Sequence, residues 1–298
     1  MKFHSRPRFR RVSSLRFLQI KERDLKIIRL VHAHRFLRSS HILSLIAGSR
    51  QNISRRLQCL YHHGYLERPR AQIDYYHRGG SRRIVYGLGN KGASLLKQQT
   101  RGIRWGEKNR AVGRQYLEHA VLVSDVMVAI ELACRKTQRV RLFTREEFPK
   151  IPKSTRWSVT IGTNVKLGVI PDQMFGLEIT RETGQMERAY FFLEADRGTM
   201  PVIRKNLNQT SLYRKLLAYE ATWSQDLHRS LFGIHRFRVL TVTKSAERVR
   251  NLVDACQKLK RGHGLFLFAD ETTLKTAQSL LNHPWQSGRT QEKGTLLD

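Results

Sequence analysis

The chain has 298 residues, with 55 Lys+Arg against 24 Asp+Glu, a formal net charge of +31 and 40% apolar residues. That length holds two ordinary domains with real cores, and the charge points to nucleic acid or an anionic membrane surface as partner. No apolar run approaches the ~20 residues that span a bilayer, and no single long basic amphipathic helix suits a membrane surface, which disfavours a membrane role.

The charge is uneven. Residues 1–112 carry 26 Lys+Arg and 5 Asp+Glu, about two thirds of the excess. Residues 1–20 read as a basic N-terminal arm with no apolar signal core behind it. Apolar spacing then predicts a helix over 22–34 through Leu25, Ile27, Ile28 and Val31, and a second over 39–47 capped by Ser39 or Ser40. A third helix fits 50–63. Ile53, Leu57, Leu60 and Tyr61 form its inner face, Arg50, Gln51, Asn52, Ser54, Arg55 and Arg56 its outer face, and Gly64 its stop. Strand-like pieces at 71–76 and 83–88 flank a turn that contains Arg78, Gly79, Gly80 and Arg82, and a short helix starts near Asn90.

Three helices, a hairpin and a helix over 21–98 make the plan of a winged helix-turn-helix. The third helix would enter the major groove, where Arg reads guanine and Asn or Gln reads adenine. Arg78, Arg82 and Arg83 on the hairpin would touch phosphates. The alternative is a solvated helix face in a protein–protein module, which the glycine- and arginine-rich hairpin disfavours. Residues 99–112, polar and basic, read as a linker.

The clearest helix covers 114–135, with Leu117, Val121, Val128 and Leu132 on one face. Strands are expected around 140–143, 157–161, 166–170, 173–179 and 188–193. A helical region over 200–224 follows, then strand 237–242, helix 246–259, strand 265–268 and a last helix near 274–281. This is an α/β pattern, a second domain over 113–285, with 286–298 as a flexible tail. Cys59, Cys134 and Cys256 lie far apart and match neither a zinc site nor a disulfide framework, which fits a reducing cytoplasm.

Asp172 stands at the start of one strand, and Glu194 near the end of the next, with Asp196 on the same face as Glu194. Neighbouring carboxylates repel unless a cation sits between them, and Mg²⁺ or Mn²⁺ held by two or three of them is the arrangement that hydrolyses phosphodiesters. Lys205 and Lys215, on the following helical stretch, are candidates to stabilise the transition state. The competing reading pairs Glu194 and Asp196 with Arg197 or Arg204.

Asp172, then Glu194-Ala195-Asp196-Arg197-Gly198-Thr199, then Arg214-Lys215-Leu216-Leu217-Ala218-Tyr219 is similar to the replication-relaxation family of plasmids and integrative elements. The strand 238–243 and the stretch 247–252 extend the likeness, which runs from about Arg23 to Trp285. The resemblance implies a restriction-endonuclease-like core of the PD-(D/E)XK type behind the winged helix, related to relaxases that nick one strand at a transfer origin. Asp172 and Glu194 would match the metal carboxylates, and Glu118 an acid of the first core helix. The usual lysine two places after the glutamate is Asp196. Either Lys215 replaces it from the helix, or Asp196 serves a second metal, or the core is inactive. The expected function is a metal-dependent DNA nickase acting at a plasmid or transfer origin. The alternative is an inactive DNA-binding accessory factor or regulator. Expected partners are double-stranded DNA, single strands at a nick, other relaxosome or replication proteins, and a second copy in a homodimer.

Overall fold

The computed structural model of the chain describes residues 8–12, 17–73, 83–96, 106–152, 154–162 and 164–298. The chain divides into two compact units, Met1–Val128 and Ala129–Asp298. No helix among the described residues is long and apolar enough to cross a membrane.

The first unit begins with α1 (Glu22–His34), whose Ile27, Ile28 and Val31 are buried. The Asp24 carboxylate accepts from the Lys21 backbone N–H at 2.8 Å and so caps the helix. Strand β1 (Phe36–Arg38) leads into α2 (Ser39–Leu45) and α3 (Arg50–His62). The Ser49 hydroxyl caps α3 by accepting from the Asn52 N–H at 3.2 Å. Strands β2 (Leu66–Glu67) and β3 (Val85–Leu88) complete an antiparallel sheet in the order β1-β3-β2. Phe36 pairs with Gly87, where an added Cβ would lie 2.8 Å from the Phe36 ring, so this crossing needs glycine.

Two expectations for this unit change. The strand that pairs with β3 here is Leu66–Glu67; of the expected strand 71–76, residues 71–73 are not extended and residues 74–76 lie outside the described residues. Residues 70–72 instead form a 3₁₀ turn after Pro69. The Gln72 amide then takes over strand pairing: it accepts from the Val85 N–H at 2.8 Å and donates to the Val85 carbonyl at 2.9 Å. The turn bearing Arg78 and Arg82 lies outside the described residues. The expected linker is also partly helical. After α4 (Asn90–Leu96), residues 106–110 of that stretch form α5 (Gly106–Arg110). Its buried Asn109 donates to the Leu88 carbonyl at 3.2 Å, which ties α5 to the sheet.

Helix α6 (Arg114–Lys136) follows. In the first unit its Leu117, Ala120 and Val121 pack on Phe36 and Val85. Glu118, expected to join the acidic site, pairs with Arg114 one turn away at 2.9 Å.

The second unit is built on β4 (Val140–Thr144), β7 (Gln173–Thr180), β8 (Met186–Ala195), β9 (Arg238–Thr243), β10 (Phe266–Asp270), β11 (Trp285–Ser287) and β12 (Lys293–Gly294). They form one mixed sheet in the order β12-β11-β10-β9-β8-β7-β4. β4, β7 and β8 are antiparallel; β8, β9 and β10 are parallel. Parallel neighbours need crossovers. These are α7 (Leu212–Ser224) with α8 (Leu227–Phe232), and then α9 (Ala246–Cys256). Between β4 and β7 a separate antiparallel ribbon forms from β5 (Trp157–Ile161) and β6 (Val165–Val169). The core joins Phe192, Val239, Phe266 and Phe268 of the sheet to Leu216 and Tyr219 of α7 and Leu252 and Cys256 of α9. In β7, Gly176 lets the Phe143 ring lie on the strand where any Cβ would collide with it.

The expected 200–224 helix is shortened. Ser211 caps α7 by accepting from the Arg214 N–H at 3.2 Å, so the helix starts there and 201–210 stay irregular. The last helix, α10, is Glu271–Thr276, set earlier than expected because Asp270 caps it through the Thr272 and Thr273 N–H groups. Residues 286–298 do not hang free. They supply strands at the sheet edge and bury Leu296.

Candidate functional site

Asp172 sits immediately before β7, and the register of β7 with β8 places Gln173 opposite Leu193. Its backbone N–H donates to the Leu193 carbonyl at 3.0 Å, and its carboxylate accepts from the Ala195 N–H at 2.8 Å. Asp172 is thereby fixed to the residues on both sides of Glu194.

Glu194 points toward α7, as Phe192 does two residues earlier. It is 4% exposed. One carboxylate oxygen takes the Lys215 ammonium, and the other accepts from the Tyr219 hydroxyl at 2.6 Å. Lys215 and Tyr219 are four residues apart and share one face of α7. Burial pushes the Glu194 carboxyl up from its ordinary value, Lys215 opposes this, and Asp172 adds to the rise. Burial works against the Lys215 charge, but Glu194 and Asp172 outweigh it and hold its pKa above the usual lysine value. Burial beside Glu194 raises the Tyr219 hydroxyl well above the ordinary tyrosine value, so it stays a donor. The Lys215 side chain is 37% exposed, so the cluster reaches solvent through its lysine.

Asp196 shares this face of the sheet but serves a different partner. Its carboxylate accepts from the Arg248 guanidinium on α9, from the Thr243 hydroxyl at 2.6 Å and from the Gly198 N–H at 3.0 Å. Arg248 also donates to the Met200 carbonyl. Asp196 therefore latches the 196–200 turn to α9. Among the described residues no group of three or more His, Cys, Asp or Glu side chains is placed to hold a metal ion. Asp172 and Glu194 come together with Lys215; Asp196 is saturated by other donors; Lys205 is exposed in the irregular stretch before α7. Sequence reasoning does not single out Tyr219 as a partner of Glu194, although its i,i+4 spacing from Lys215 is a visible signal. Arg248 and Thr243 carry no sequence signal for their roles.

On α3, Arg50, Gln51, Asn52 and Arg55 are exposed and Ser54 is half-buried. Arg83 is exposed beside β3. Arg56 departs from the expected base-reading set: it makes a bidentate pair with the Asp24 carboxylate, both contacts at 2.6 Å, and also donates to the Gln19 carbonyl. Two of the few acids here, Asp24 and Glu67, are buried and held by arginines. These pairs occupy Arg56, Arg11 and Arg110.

A family model described as replication-relaxation matches residues 28–234. The match includes α3, Asp172, Glu194, Lys215 and Tyr219 and ends before β9, short of the Trp285 limit expected from the sequence. No curated protein and no solved structure matches the chain significantly.

Proposed function

We propose that this chain, which belongs to the replication-relaxation family, binds DNA of a plasmid or other mobile element through its first unit and nicks one strand with Asp172, Glu194 and Lys215. The family supports a role in replication or relaxation of such an element. The element order α1-β1-α2-α3-β2-β3 supports a winged helix-turn-helix, with Arg50, Gln51, Asn52 and Arg55 facing the major groove. The order α6-β4-β7-β8-α7-β9 supports a PD-(D/E)XK-like core.

The observation that carries the reading is the Lys215–Glu194 contact with Asp172 locked alongside. In this reading Lys215 of α7 takes the role of the lysine whose usual position is held by Asp196. Two carboxylates and one ammonium leave an excess negative charge, and Glu194 retains lone pairs beyond its two donors, Lys215 and Tyr219. That donor set fits a Mg²⁺ or Mn²⁺ ion held by Asp172 and Glu194, since Mg²⁺ commonly takes one or two carboxylates and fills its shell from water and phosphate. Bound there, the ion would supply charge neutralisation at a phosphodiester and activation of water. The chain's own part follows from its geometry. Tyr219 fixes the Glu194 rotamer, the strand fixes Asp172, and Lys215 presents a permanent positive charge to a phosphate as negative charge builds up.

The test is conversion of supercoiled plasmid bearing the element's origin to relaxed circles with Mg²⁺ or Mn²⁺. Wild type is expected to nick and Glu194→Ala to fail; equal nicking by both removes Glu194 from the site. The second reading, a DNA-binding accessory factor or regulator on an inactive core, is favoured by the capture of Asp196 by Arg248. Intact DNA binding without nicking by wild type would select it.

A further inference from the structure

The β5–β6 ribbon stands apart from the seven-stranded sheet, and its two faces differ sharply. Trp157, Val159, Leu167 and Val169 point inward onto α7 and are buried. Trp157 donates through its indole N–H to the Thr222 hydroxyl of α7 at 2.9 Å, which pins the ribbon to the helix that carries Lys215 and Tyr219. The outer face, Ser154, Arg156, Ser158, Thr160, Lys166 and Gly168, is exposed throughout. It holds hydroxyls, glycine and two cations, and no acid.

Most arginines of this unit are committed to carboxylates, as Arg141 and Arg188 are to Glu178 and Arg248 is to Asp196. Arg156 and Lys166 make no ion pair among the described residues. Ser158 lies opposite Gly168, beside which the Arg156 guanidinium sits, and Thr160 lies opposite Lys166, so both cations are displayed among short side chains. Beyond Thr160 and Gly162 the face continues into a cavity of about 530 Å³ whose lining includes Lys258, Lys260 and Arg261. The acid in that lining, Glu220, is already paired with Arg261 at 3.1 Å. At the other end, Val169 is three residues from Asp172, so their Cα atoms are at most about 11 Å apart.

We propose that the outer face of the β5–β6 ribbon is a phosphate track that holds the DNA strand flanking the cut, with Arg156 and Lys166 contacting successive phosphodiesters and the Lys258–Lys260 cavity receiving the strand beyond them. This rests on the reading of Asp172, Glu194 and Lys215 as a strand-cutting site. Hydroxyls and unpaired cations among short side chains suit phosphate oxygens, and such contacts position a strand without reading its sequence. The buried anchor on α7 makes the track rigid relative to the site, which is the condition for holding a scissile bond in place.

The experiment measures binding of the full chain to a short duplex from the element's origin region, as a function of salt, by fluorescence anisotropy. Removing one cation that neutralises a phosphate lowers the slope of log K against log salt by about 0.9 on duplex DNA. Arg156→Ala with Lys166→Ala is expected to lower it by about 1.8. Arg250→Ala with Lys275→Ala, an equal removal of exposed charge elsewhere in this unit, is expected to keep the wild-type slope. Arg156→Lys with Lys166→Arg is expected to retain it too, which separates the effect of charge from disturbed folding. An unchanged slope in the first variant, as for a face reserved for a protein partner, or an equal fall in the control, overturns the proposal. Nicking is scored separately: its absence from wild type overturns the cutting reading, while the slope alone decides the ribbon.

Discussion

Replacing Arg56 by Ala separates DNA reading from architecture on α3. In the structure Arg56 supplies two of the three donors recorded for the Asp24 carboxylate, the third being the Lys21 N–H. Asp24 is 1% exposed. Removing one member of a buried ion pair costs about 3–5 kcal/mol, because the surviving charge has no compensation. Arg56 is itself 25% exposed, so water entering the vacated space reduces the expected cost to about 2–3 kcal/mol. Hydrogen exchange of the α1 and α3 amides reads this directly in the full chain. The destabilisation corresponds to roughly 30- to 150-fold faster exchange if these helices open together. Removing Asp24 as well, as Asp24→Ala in the Arg56→Ala background, should recover part of the stability, since the uncompensated charge is gone. Arg55→Ala, on the exposed face, should leave exchange unchanged while lowering the DNA-binding salt slope by about 0.9. Normal exchange in Arg56→Ala together with weakened DNA binding would refute the reasoning and return Arg56 to the base-reading face.

Three further outcomes are expected. Arg248→Ala should destabilise the second unit by about 3 kcal/mol in urea unfolding, because Asp196 is left buried without its arginine; a change below about 0.5 kcal/mol would show that the latch is idle. Tyr219→Phe should cost about 1–2 kcal/mol of stability and slow nicking by freeing the Glu194 rotamer, and unchanged nicking would dismiss its positioning role. Asp125, despite burial that pushes its pKa up, is held below the ordinary aspartate value by hydrogen bonds from His41 and Arg38. Its folded pKa lies below the unfolded value, so its stabilisation is present above about pH 3.8 and is lost as pH falls through the folded pKa. Asp125→Asn should therefore flatten the acid limb of the stability curve; an unaltered limb would refute the assignment.

What the sequence made legible was local. The helices expected over 22–34, 39–47 and 50–63 followed from apolar spacing and, for the third, from the Gly64 stop; the expected Ser39 or Ser40 cap gave way to Arg38, because both serines already lie inside the helix. Most sheet strands were visible as β-branched and aromatic runs. The pairing of Asp172 with Glu194 was legible because both flank strand ends that a short connection makes antiparallel neighbours. The rest depended on tertiary partners. β1 is three residues long and exists because β3 pairs with it. The turn at 70–72 replaced a strand because one glutamine side chain satisfies the edge of β3. Arg56 looked like a surface arginine because its partner lies 32 positions away. Alternation placed Glu194 and Asp196 on one face, yet Arg248 on α9, 52 positions from Asp196, decided that they belong to different clusters.

The lysine that reaches Glu194 comes from 21 residues downstream, on another element. A charge delivered this way frees the strand from any linear signature. Position 196 is thereby left to Arg248 of α9, while one face of α7 holds the lysine and tyrosine that meet Glu194. The cluster is therefore written in the chain as a strand glutamate and a distant lysine–x₃–tyrosine helix, not as a spacing along the strand.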